Sequence, residues 1–178
     1  MNDIILVAPS EIPAREALDY IEEHQKYGED YLHGSSLLHQ APSYVEWLEQ
    51  IRRNSDEKTV QKDWVVSSTF FAVRESDRRI VGMVDIRHTL NDFLRDKGGH
   101  IGYGVRPTER RKGYATQMLE QTLAYCAILG IERVMIACYS DNVGSRKTIL
   151  KCGGHLERTF MDDTGKTVEV YWADCSRD

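Results

Sequence analysis

Val105-Arg106-Pro107-Thr108-Glu109-Arg110-Arg111-Lys112-Gly113-Tyr114-Ala115 is the stretch on which the reading of this chain turns. The apolar run before it, Ile101-Gly102-Tyr103-Gly104-Val105, reads as a buried strand. After it, Ala115, Met118, Leu119, Leu123, Cys126 and Ala127 recur at close to helical spacing, which predicts a helix from Thr116 to Leu129. A strand therefore ends, a basic loop turns and a long helix begins. Gly113 supplies backbone angles closed to other residues and lets a ligand approach the main chain. The unpaired N–H groups of a helix start, with the positive end of its dipole, attract an anion. Arg106, Arg110, Arg111 and Lys112 surround that point, so the physical reading is a cradle for a phosphate or pyrophosphate.

The spacing Arg110-x-x-Gly113-x-Ala115, with its Val-x-Pro lead-in, resembles the Arg/Gln-x-x-Gly-x-Gly/Ala signature of the GNAT N-acetyltransferases. Neither a dinucleotide fingerprint nor a Walker A loop fits, because Gly102, Gly104 and Gly113 lack the required spacing. The resemblance implies that residues 110–116 (Arg110, Arg111, Lys112, Gly113, Tyr114, Ala115 and Thr116) hold the pyrophosphate of acetyl-CoA as co-substrate, with no metal. It also implies the fold: a mixed α/β (α+β), mostly antiparallel central sheet of about seven strands, with a strand 4–helix–strand 5 parallel crossover and flanking helices.

Working outward, Gly130 suits a helix C-cap, and Arg133 to Tyr139 follows as a strand expected to pair parallel to the strand at 101–105. Asn142-Val143-Gly144-Ser145 then opens a short helix to Lys151, capped by Asp141 or Asn142. This resembles the second GNAT signature, Asn-x-x-Ala/Ser, which implies that Asn142 and Ser145 lie beside the pantetheine arm. Two alternating segments around Asp162 to Lys166 predict a closing hairpin. Upstream, Thr69 to Val73 and Ile80 to Ile86 flank a polar turn at Ser76 to Arg79 and predict another hairpin. Ile4 to Ala8 suits a first strand. Helices are expected from Ser10 onward, with Ala14, Leu18 and Ile21 inward, and from Tyr44 to Arg53, with Val45, Leu48 and Ile51 inward. Gly28 to Pro42 reads as loop, and Asn54 to Asp63 as a polar surface linker.

The bulk numbers narrow the classes. At 178 residues the expectation is one domain spanning 1–178, with 41% hydrophobic and 29% charged residues in the ordinary globular range. A net charge of −5 argues against a general nucleic-acid binder. Cys126, Cys138, Cys152 and Cys175 follow no metal-ligand spacing. No signal-peptide pattern follows Met1, and no apolar run approaches the ~20 residues that cross a bilayer. The expectation is a reduced, cytoplasmic, soluble protein, with a homodimer as the family's habit.

Acetyl transfer needs an amine that loses a proton, a stabilised thioester oxygen and a thiolate that leaves. The resemblance implies that the strand at 101–105 and the next one splay apart. The Val105 N–H then polarises the thioester, with Tyr103 and Gly104 lining the channel. His100 and Tyr103 are the titratable candidates for the base on that strand; His100 reads equally as a structural histidine. Arg87, His88 and Asn91 could reach the acceptor from the strand's mouth. Glu22, Glu23, Glu29 and Asp30 could recognise a cationic amine, or simply form a solvated face. Many family members carry a tyrosine acid seven residues after the motif asparagine, where this chain has Ile149. Branches acting on protein N-termini and small amines also lack that tyrosine and carry the Asn-x-x-Ser form. The expectation is therefore an N-acetyltransferase acting on a small amine or a peptide or protein N-terminus. The alternatives are a non-catalytic acyl-CoA-binding module and a nucleotide- or sugar-phosphate-binding domain.

Overall fold

The computed structural model describes residues 2–175. In chain order the elements are β1 (Ile4–Val7), α1 (Ala14–Lys26), α2 (Tyr44–Asn54), β2 (Ser67–Arg74), β3 (Ile80–Arg87), β4 (Ile101–Val105), α3 (Tyr114–Ile128), β5 (Arg133–Tyr139), α4 (Val143–Lys151), β6 (His155–Met161) and β7 (Thr167–Asp174). Among the described residues the strands number seven, as the resemblance implied.

They form two antiparallel sheets, one ordered β1-β2-β3-β4 and the other β5-β7-β6. The expected parallel ladder between β4 and β5 is not formed. The two strands touch only at one end, where the His100 N–H donates to Met135 O at 2.8 Å and the Met135 N–H donates to His100 Nδ1 at 2.9 Å. Gly99 permits that approach: it sits at φ +68°, and a Cβ there would lie 2.5 Å from Met135 O. Beyond this point the strands part.

The β1–β4 sheet has a core on each face. On one, Met118, Leu119, Leu123 and Cys126 of α3 pack against Val84, Ile86 and Ile101, and against Val134, Ile136 and Tyr171. This layer spans both sheets, so α3 holds together two halves that share no ladder. The helix stops at Gly130 (φ +80°), where the Gly130 N–H reaches Ala127 O and the Ile131 N–H reaches Cys126 O, a Schellman ending.

On the other face α1 and α2 cover Phe71, Val73, Ile80 and Met83. Here the expected inward stripes hold in part: Ile21, Leu48 and Ile51 pack against this core, but Leu18 and Val45 do not. Leu18 is 51% exposed and Val45 75% exposed, while Ala17, Tyr20 and His24 of α1 and Trp47 of α2 are buried. Aromatic area decides the rotation: burying Tyr20 and Trp47 removes more apolar surface from water than burying Leu18 and Val45. Trp47 also finds acceptors for its indole N–H, Ser35 O at 3.0 Å and Ser36 O at 3.2 Å. Ser43 caps α2 by accepting the Glu46 N–H.

Candidate functional site

The site is built from the backbone of β4. Arg87 N–H bonds His100 O and Arg106 N–H bonds Val81 O, both at 2.7 Å, and the register pairs Gly102 with Asp85 and Gly104 with Met83. In an antiparallel ladder bonded and non-bonded residues alternate. Gly102 and Gly104 therefore face β3 with their N–H groups, whereas Tyr103 and Val105 direct theirs into the opening beside β5. The expected Val105 N–H is thus a donor available to a ligand.

The wall opposite comes from α4. Asn142 Oδ1 accepts the Ser145 N–H at 3.1 Å, so Asn142 is the helix cap. Its contribution is to fix where Ser145 sits. Ser145 Oγ lies 2.7 Å from the Tyr103 hydroxyl, bridging β4 and α4 across the opening. Burial pushes the Tyr103 phenol well above its ordinary pKa, despite the opposing bond to Ser145. It is a proton donor at neutral pH and too weak an acid to start as a base. Ile149 is fully buried in the α3-side core, against which Tyr103 also packs.

The cradle lies at the start of α3. Gly113 holds φ +86° and no side chain caps the helix; the first helical backbone bond is Gln117 N–H to Gly113 O, leaving the earlier first-turn N–H groups for a ligand. A Cβ on Gly113 would meet nothing within 4 Å, so the turn is open. Of the four expected cations, Arg106 does not belong here. It is 2% exposed, bonds Glu23 at 2.7 Å and Ile80 O at 3.3 Å, and pairs with Asp19. Charge in the sequence does not reveal that acids on α1 consume it. Arg110 donates its Nε to Val105 O at 3.1 Å and both terminal nitrogens to Glu29 at 2.6 and 2.7 Å. Its guanidinium therefore braces the loop against the segment after α1. Lys112 pairs with Glu109 at 2.8 Å, and Arg111 makes no ion pair among the described residues. Tyr114 is buried, so only its backbone faces the cradle; Ala115 and Thr116 lie half-buried in the first turn.

The expected acceptor residues divide. Glu23 receives the Thr108 N–H and hydroxyl and the Arg106 guanidinium; although burial opposes them, these bonds hold its carboxyl down to about 2. Glu29 is held low by Arg110, against burial, with His24 Nδ1 adding a bond at 2.8 Å. Neither is free for a cationic ligand, whereas Glu22 and Asp30 are exposed. His88 bonds Ser68, and Asn91 caps the turn at Leu94, so both are structural. Arg87 pairs with buried Asp85 at 2.9 Å and lies over Gly102. His100 is the staple described above. Burial and the Arg87 charge lower its pKa to about 4, and its Nδ1 lone pair is occupied by the Met135 N–H. That nitrogen has no capacity left to act as a base.

One group was invisible in the sequence. The loop after α1 crosses β4 at His33-Gly34. A Cβ on Gly104 would lie 2.9 Å from His33 O, and one on Gly34 (φ +73°) 2.6 to 2.8 Å from Met83 O, Tyr103 Cα and Gly102 O. The alternate glycines 102 and 104, which clear one face of the strand, were the available signal.

Comparison with known proteins gives consistent results. A family profile described as an acetyltransferase (GNAT) domain matches residues 15–155. An uncharacterized N-acetyltransferase of Bacillus subtilis, YoaA, is 26% identical over 96 residues, which span 52% of each chain. Among solved structures, RimL, a ribosomal L7/L12 α-N-protein acetyltransferase in complex with coenzyme A, superposes with a TM-score of 0.67 at 17% identity, covering 98% of this chain and 95% of its own. A spermidine N-acetyltransferase mutant from Vibrio cholerae superposes with a TM-score of 0.65 at 15% identity, covering 99% and 96%. At these identities the likeness concerns the fold.

Proposed function

The chain belongs to the GNAT acetyltransferase family, and from that premise we propose that it moves the acetyl group of acetyl-CoA onto a primary amine by direct attack in a ternary complex. The observation that carries the reading is the open end of β4, where unpaired main-chain donors meet an uncapped helix start. The first-turn N–H groups of α3, with Arg111 and Lys112 near them, receive the pyrophosphate. The Val105 N–H accepts the charge growing on the thioester oxygen. In this reading the Tyr103–Ser145 hydroxyl pair, whose oxygens lie 2.7 Å apart at the opening, supplies the proton for the departing sulfur, the role that Ile149 cannot fill. The amine nitrogen forms the new N–C bond, the C–S bond breaks, and the hydroxyl pair returns a proton to the thiolate.

The acceptor is a small amine or a peptide or protein N-terminus. Two of the four acids expected to recognise a cationic amine are spent on arginines, which leaves less negative charge for a polyamine and favours a single α-amine. Acetyl-CoA with a short free-N-terminal peptide, or with spermidine, should release free thiol in proportion to acceptor. Buried Ile149 keeps one other reading in view, an acyl-CoA-binding module without turnover; CoA binding with no thiol release from either acceptor would establish it instead.

A further inference from the structure

We propose that His33 is the general base, taking the proton from the acceptor nitrogen as it adds to the thioester carbonyl. The inference rests on the acetyl-transfer reading above. Its first support is position. Gly34 and Gly104 let the loop lie directly on the strand, with His33 Cβ 3.3 Å from where a Cβ of residue 104 would stand. Residue 104 lies between Tyr103 and Val105, whose N–H groups enter the opening. His33 therefore borders the thioester channel on the face away from α3, the side left for an acceptor.

The second support is availability. Among the described residues, the other histidines close to this end of the site are committed: His24 to Glu29 and His39 to Gln40. His100 is bound to Met135. His33 is exposed and its ring nitrogens make no hydrogen bond among the described residues. Its ring is held edge-on by Tyr31 at 4.8 Å, and Tyr31 is held in turn by His39 at 4.8 Å. Two of the acids nearby offer no rival. Glu29 is bound by Arg110 and His24, and Asp85 is buried under Arg87.

The charged groups that face His33 are Glu29 and His24 at the end of α1, Arg110 of the cradle loop and His39. The loop and strand packed against one side of the ring lower its pKa even though the side chain is exposed on the other; Glu29 opposes this, and His24, Arg110 and His39 add to it. The imidazole is therefore neutral at physiological pH and ready to accept a proton. The step balances. The N–C bond forms as the C–S bond breaks, one proton passes from nitrogen to the imidazole, and another passes from the Tyr103–Ser145 pair to sulfur.

Thiol release from acetyl-CoA by the full chain tests this, with a short free-N-terminal peptide and spermidine as acceptors. His33→Gln should lower kcat by about 10²-fold, leave the KM for acetyl-CoA and the unfolding midpoint unchanged, and abolish the acid limb of kcat/KM below about pH 6.5. Free imidazole should partly restore His33→Ala. A His33→Gln enzyme within about threefold of wild type and with the same acid limb would overturn the assignment. So would a loss accompanied by a lowered midpoint and no imidazole rescue, which would make His33 structural. If wild-type protein binds CoA yet releases no thiol with either acceptor, the acetyl-transfer reading itself falls and takes this one with it.

Discussion

The two ends of β4 do opposite things. At one end Gly99 and His100 bring the strand against β5 and satisfy the Met135 N–H and C=O with the histidine's own ring and backbone. At the other, the Tyr103 and Val105 N–H groups have no strand partner, and a pair of hydroxyls spans the space instead. A buried unpaired backbone donor is costly. The open end, whose residues are only partly buried, leaves its donors reachable by water or ligand, and the pinned end together with α3 keeps the two sheets registered while it stays open. The comparison teaches that an opening between strands needs a hinge as much as a gap.

Breaking the hinge should have the largest effect. Gly99→Val places a β-branched side chain at φ +68° with its Cβ 2.5 Å from Met135 O. We expect a loss of about 3 kcal/mol or more in chemical denaturation, together with weaker CoA binding as β4 and β5 shift. A loss below about 1 kcal/mol would show that the hinge does not bear on the fold.

His100→Gln removes the ring acceptor at the same end and should cost about 1–3 kcal/mol at neutral pH. It also sharpens the comparison through pH. The folded-state pKa of His100, lowered to about 4 by burial and Arg87, lies below the unfolded value of about 6.5. The unfolded chain therefore binds more protons between these values. The His100 contribution is complete above about pH 6.5 and is lost as pH falls towards 4. Wild-type stability minus that of His100→Gln should shrink across this window; a difference constant with pH would contradict the staple.

The smallest stability effect belongs to the open end. Tyr103→Phe keeps the packing and deletes one hydroxyl, so it should cost about 1 kcal/mol in stability while lowering kcat by about tenfold or more through the lost proton donor. Equal kcat in the two proteins would assign the hydroxyl pair a purely structural bridge.

How much of this was legible follows from whether the cause is local. The strand at 101–105, the Gly113 turn, the Gly130 ending and the Asn142 cap depend on neighbours within a few residues, and the sequence marks each of them. The resemblance implied that β4 and β5 splay apart, but their own residues suggested a continuous parallel ladder, because the separation is produced at a distance. Gly99 meets Met135, and Tyr103 meets Ser145; no feature of Arg133 to Tyr139 announces a missing ladder. Arg106 read as a ligand cation because formal charge says nothing of its partners on α1. Leu18 and Val45 read as inward because a periodic stripe weighs all apolar residues alike, whereas the larger rings of Tyr20 and Trp47 set the helix rotation. His33 lay in a segment with no period at all, and only the glycines of the strand beneath hinted that a loop crosses there.

The central claim is that the open end of β4 and the start of α3 together receive acetyl-CoA, and ligand-dependent thermal unfolding tests it most directly. At about 100 times the dissociation constant, acetyl-CoA and CoA should each add about 2.7 kcal/mol and raise the midpoint by several degrees, while ATP and NAD at the same concentration should not. In Gly113→Val, where a β-branched residue cannot hold φ +86°, the ligand-induced shift should vanish. A wild-type midpoint unmoved by CoA and acetyl-CoA would contradict the account.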